Sequence, residues 1–107
     1  VNRRVLILPR AEEQLLASAL WWSEHHSADQ ASRWLDGFES AIAGLSVDPE
    51  RLQLAPENPL FPFEVRQLLY GLRARKTHRA VFEIRGEEVI VFAVRHLHQR
   101  DISPEDV

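Results

Sequence analysis

The sequence predicts an α+β domain of order β-α-α-β-β-β, with a helical hairpin packed on one face of a mainly antiparallel sheet. Three observations predict it. Two apolar stripes at helical spacing stand side by side near the N-terminus, separated by a capping signal. A short branched run precedes them. Three strand-like runs follow a proline-rich segment, the last two joined across a glycine turn.

The opening run Arg4 to Leu8, RVLIL, is apolar and branched and is closed at once by Pro9, which suits a strand. Pro9 then fits the first turn of a helix, where its missing N–H would have had no partner, and Glu12 and Glu13 favour the positive end of the helix dipole. Ala11, Leu15, Ala19 and Trp22 repeat at helical spacing, so the first helix runs to about His25. Ser27 and Gln30 have the spacing of a capping box. Ala31, Trp34, Leu35, Phe38, Ala41, Ile42 and Leu45 form the stripe of a second helix ending near Val47, and so short a break implies an antiparallel hairpin.

The segment from Asp48 to Pro62, DPERLQLAPENPLFP, has prolines at 49, 56, 59 and 62 and predicts a surface connection. Strands are then expected over Phe63 to Tyr70, Thr77 to Ile84 and Glu88 to about Leu97, with Arg85, Gly86 and Glu87 as a hairpin turn. In the last run Val89, Val91 and Ala93 alternate with Ile90, Phe92 and Val94. Both faces are apolar, as in a central strand.

A chain of 107 residues reads as one domain, 1–107, with a single core. It has no cysteine, which excludes disulfides, thiolate metal sites and a cysteine nucleophile. No apolar run is long enough to span a membrane and the start lacks a signal-peptide layout, so a cytoplasmic protein is expected. The net charge of -3 is unevenly spread. Residues 1–48 hold four arginines against seven acids, whereas Arg66 to Arg79 holds Arg66, Arg73, Arg75, Lys76 and Arg79 with no acid. Such a window suits an acidic partner.

The chain changes character in FAVRHLHQRD, where an apolar strand passes into Arg95, His96, His98, Arg100 and Asp101. His96 and His98 share one strand face, but only Asp101 is a nearby acid, so no metal site is expected. No serine lies in a Gly-x-Ser-x-Gly turn, and no P-loop or dinucleotide fingerprint is present, so no cofactor is expected. Arginines on separate strands with an imidazole nearby would suffice to cut RNA through its own 2′-hydroxyl, and equally to hold an acidic partner. Alternation puts Arg79 on the sheet face away from the helices. It also separates Arg95 from His96, which weighs against a simple catalytic dyad. Trp22 and Trp34 lie on the helical stripes and are expected in the core, with Trp21 open.

The ordered series of an opening strand leading into Pro9-Arg10-Ala11-Glu12, then AIAGLSVDPER, VRQL, THRAVFEI and VIVFAVRHLHQRD, resembles the RelE/ParE superfamily of bacterial type II toxins. The resemblance implies a growth-inhibiting toxin, of the kind associated with plasmid stabilisation, held inactive by a cognate antitoxin. Members divide between ribosome-dependent messenger RNA endonucleases of the RelE and YoeB kind and ParE-like poisons of DNA gyrase, which are not nucleases. In the RNA-cutting reading the resemblance carries catalytic roles to Arg79, to Arg95 or Arg100, and to His96 or His98. The C-terminal tyrosine common to RelE and YoeB relatives is missing, since no tyrosine follows Tyr70. The long hairpin, tryptophan-rich first helix and proline-rich loop resemble ParE more, and that branch is favoured. RNA cleavage and a non-toxic antitoxin-binding module are the alternatives. The expected antitoxin or target surface is Arg66, Arg73, Arg75, Lys76, Arg79 and Arg95, and reversing Lys76 and Arg79 to glutamate is expected to weaken toxicity with the fold intact.

Overall fold

The computed structural model describes residues 2–106. Its elements are β1 (Arg4–Ile7), α1 (Pro9–His25), α2 (Ala28–Ala43), β2 (Arg66–Tyr70), β3 (His78–Arg85) and β4 (Glu88–His96). Pro9 stands at the start of α1, and the Ser27 hydroxyl accepts the Gln30 N–H at 3.1 Å to cap α2. The second helix ends sooner than expected, and Gly44–Ser46 tightens into a 3-10 turn that still buries Leu45.

The sheet order is β1-β4-β3-β2, with β1 parallel to β4 and the other pairs antiparallel. Gly86 takes φ 60° in the β3–β4 turn, a conformation that costs glycine little. Apolar residues of the hairpin (Leu15, Trp34, Phe38, Ile42) close on Ala80, Phe82, Val89 and Val91 to form the main core. Phe38 and Phe82 are fully buried, each contributing roughly 1.5–3 kcal/mol of transfer free energy.

Two expectations are corrected. The strict alternation read along β4 breaks at Phe92, because Val81 pairs with Ala93 while Phe82 pairs with Val91, leaving Phe92 as an extra residue in a bulge. Phe92 and Ala93 therefore both face away from the helices, and Val94 takes up the helix side. The proline-rich segment is also more than a surface connection. It folds under the sheet, where Ala55 joins Val65, Val81, Phe92, Ala93 and Ile102 in a second cluster, and its Glu57 is fully buried. The strand-rich second half thus has two apolar faces because both are covered.

Candidate functional site

One end of the molecule gathers the tip of the helical hairpin, the β2–β3 loop and the end of β4. Gly71 starts the loop, and a Cβ there would lie 1.9 Å from the Arg75 carbonyl oxygen, so only glycine permits this close return. The Thr77 N–H to the Tyr70 carbonyl (2.9 Å) and the Leu97 N–H to the Thr77 carbonyl (2.9 Å) close the loop and tie it to the β4 exit. Arg73, Arg75 and Lys76 project from it, all exposed, and none takes part in the ion pairs among the described residues.

The other basic residues of that window are committed elsewhere. Arg66 donates to the Leu52 and Glu50 carbonyls and pairs with Glu64. Arg79 lies on the face away from the helices, as alternation predicts, but it does not extend the open basic face. It is 4% exposed and forms a two-pronged ion pair with Glu57, while Gln67 Oε1 accepts from the same guanidinium at 3.1 Å. Burial pushes the Glu57 carboxyl up, but Arg79 and the Ile102 N–H outweigh it and hold the group below the usual carboxylate range. The pair is therefore ionic. It ties the proline-rich loop, β3 and the C-terminal segment together.

The remaining residues of the RNA-cutting reading do not converge. Arg95 is paired across the sheet with Arg79, whereas His96 is paired with His78 on the helix side. The separation of Arg95 and His96 therefore stands. Arg95 Nη2 donates to the Arg100 carbonyl at 2.9 Å, and desolvation, with Arg100 and Arg79 nearby, lowers its pKa. Arg100 is bonded to Asp106, whose carboxyl this arginine and the Ser103 N–H hold well below the usual range. His98 is exposed beside His96, their ring centroids 5.0 Å apart.

On the helix side a cleft of about 580 Å³ opens between α1 and the adjoining ends of β3 and β4. Trp21, Trp22, His26, Thr77, His78 and His96 are among its lining residues. All five histidines and all three tryptophans of the chain collect at this end in near-continuous ring contact, Trp34 to His78 at 4.9 Å and His78 to His96 at 5.0 Å. Burial, and secondarily His96, lowers the His78 pKa to about 4, so its imidazole is neutral near pH 7. Burial and His98 lower His96 as well. Among the described residues no group of three or more His, Asp or Glu side chains is arranged to hold a metal ion. Trp34 is core, Trp22 is half-buried at the cleft wall, and Trp21 is 49% exposed.

Sequence reasoning missed Glu57, Gln14 and Gln99. Glu57 carries no local signal beyond being an acid among prolines, and the two glutamines act through contacts 80 and 3 residues away, with the Val94 and His96 N–H groups.

A family model described as the ParE toxin of the type II toxin-antitoxin system, parDE, matches residues 5–102. No curated protein sequence matches at a significant level. Among solved structures, the "Chromosomal ParDE TA system from P. aeruginosa" matches with a TM-score of 0.72 at 16% identity, covering 90% of this chain and 97% of that one. At that identity the likeness bears on the fold, which is the same two helices on a four-stranded, mostly antiparallel sheet.

Proposed function

The chain belongs to the ParE toxin family of type II toxin-antitoxin systems, and from that premise we propose that it inhibits growth by acting on DNA gyrase and is neutralised by a cognate antitoxin of the ParD kind. The observation that carries gyrase over messenger RNA is the Arg79–Glu57 pair. A nuclease of this fold needs its arginine free to meet charge developing on a scissile phosphate. Here that guanidinium is enclosed, its two terminal nitrogens already held by Glu57 and Gln67. Of the other candidates, Arg95 lies on the sheet face opposite His96, so these two do not meet in one cleft.

The antitoxin surface in this reading centres on Arg73, Arg75 and Lys76; Arg66, at the far end of β2 and held by Leu52, Glu50 and Glu64, drops out of it. Three exposed cations on a loop braced by backbone hydrogen bonds suit an acidic segment, which they would attract at long range and hold at short range.

The test is a paired assay of antitoxin-free protein: supercoiling by gyrase alongside cleavage of a message on translating ribosomes. Loss of supercoiling with the message intact is expected. Site-specific cleavage that disappears in Arg95→Ala or His96→Ala would overturn the proposal in favour of RNA cutting.

A further inference from the structure

The cleft beside the basic loop combines aromatic walls with hydrogen-bonding side chains. Trp21 and Trp22 meet edge to face, 6.0 Å between centroids at 88°, forming a corner of two aromatic planes. His25 stacks on Trp21 at 4.2 Å and 16° and does not itself line the cleft, so it holds the indole from outside. The walls also carry hydrogen-bond donors in fixed orientation. Gln14 Oε1 accepts the Val94 N–H at 2.8 Å and Gln99 Oε1 accepts the His96 N–H at 2.7 Å. Each amide is thereby anchored by its oxygen, which leaves its NH₂ as the donor on a lining residue. His96 Nδ1 accepts the His98 N–H at 3.1 Å, so the neutral ring carries its proton on Nε2.

No aspartate or glutamate lines the cleft. The walls therefore combine stacking surface and donors, and the exposed cations of the adjoining loop, Arg75 and Lys76, directly precede Thr77 of the rim in the chain. They suit a planar, acceptor-rich ring that bears a negative group, and they give a cation no charged partner.

We propose that this cleft binds a nucleotide, its base against Trp21 and Trp22 with ring acceptors facing Gln14, Gln99 and His96, and its phosphate on the Arg73–Lys76 loop. The volume of about 580 Å³ lies in the usual range for small-molecule sites. Stacking on indole accepts any base, and the donors favour one rich in carbonyl and ring-nitrogen acceptors, such as guanine. Neutral His78 and His96 leave the phosphate to the loop cations.

The test uses the antitoxin-free full chain, with binding followed by calorimetry and tryptophan quenching. The probes are guanosine monophosphate, guanosine, inorganic phosphate and a single-stranded RNA octamer. Guanosine monophosphate is expected to bind better than guanosine or phosphate alone. Trp21→Ala is expected to weaken it about tenfold, and Lys76→Gln to reduce the monophosphate's advantage over the nucleoside. Gln99→Ala, at an exposed position, provides a second variant should the tryptophan change disturb folding. A preference for the octamer beyond its number of sites assigns the nucleotide to a strand, and equal affinity per site assigns it to the free pool. Either supports the site. No binding of the monophosphate or octamer at millimolar concentration, binding equal to that of phosphate alone, or binding indifferent to both Trp21→Ala and Gln99→Ala would overturn it. The measurement involves neither gyrase nor antitoxin, so a failure to bind nucleotide leaves the proposal about the toxin's target standing.

Discussion

Arg79 and Glu57 meet in a two-pronged ion pair on the sheet face away from the helices, with their side chains 5% and 0% exposed. The Ile102 N–H donates to the same carboxylate at 3.0 Å, so one acid joins three distant parts of the chain. Removing one member leaves a buried charge without its counter-charge, which typically costs about 3–5 kcal/mol. Glu57→Ala and Arg79→Ala are each expected to lose stability on that scale in urea titrations. The double change Glu57→Leu with Arg79→Met should recover much of it. A loss below about 1 kcal/mol in both single variants would show that the pair is not structural. The reversal of Arg79 expected from sequence to spare the fold would instead set two carboxylates against each other.

The exposed loop is the better place for charge reversal. Arg73→Glu, Arg75→Glu and Lys76→Glu together should change stability by only about 0.5 kcal/mol per site, because none of these side chains is buried or paired among the described residues. Association with the cognate antitoxin, measured by stopped flow, should slow by about tenfold or more at low salt and lose most of its salt dependence. An unchanged rate would remove this loop from the interface.

Histidine burial makes stability pH-dependent with a definite sign. His78 titrates near 6.5 when unfolded and at about 4 in the fold, so between those values the unfolded chain binds a proton that the folded chain refuses. Stability is therefore full above pH 6.5 and falls as pH drops toward 4, by roughly 3 kcal/mol when the window is crossed. His96 is shifted in the same direction and adds to the loss. Glu57 is held below its ordinary 4.5, so its contribution is lost only at lower pH. His78→Phe keeps a ring against Trp34 and should remove more than half of the slope between pH 6.5 and 4.5 in urea midpoints. A slope that persists unchanged would refute the assignment.

Gly71→Ala places a methyl group against the Arg75 backbone and should open the β2–β3 loop, at about 1–3 kcal/mol. Hydrogen exchange locates the effect. The Thr77 and Leu97 amides, which close the loop, should lose protection before those in the centre of β3. Equal loss everywhere would mean that the strain spreads through the sheet.

Much of the architecture was legible because it is local. The stripe from Ala31 to Leu45, the Ser27 cap, the Pro9 start and the Gly86 turn each express a preference within a few residues, and the structure realises them in place. The burial of Trp34 also follows from helical phase, whereas the exposure of Trp21, left open by the sequence, was decided by the fold. The bulge at Phe92 was not legible, since a run apolar on both faces hides a change of register.

The sequence by itself determined the order of elements, the two-sided burial of the last strand and the window rich in basic residues, because these depend on periodicity and composition. Only the tertiary structure decided which of those basic residues are free. Arg79 is neutralised by an acid 22 positions away, Arg66 by loop carbonyls and Glu64, and Arg73, Arg75 and Lys76 by nothing among the described residues. The anchoring of Gln14 and Gln99 at one cleft was likewise set by the fold. Charge and hydrogen-bonding capacity belong to a residue, but their availability depends on which distant groups the packed chain brings within about 3 Å of it.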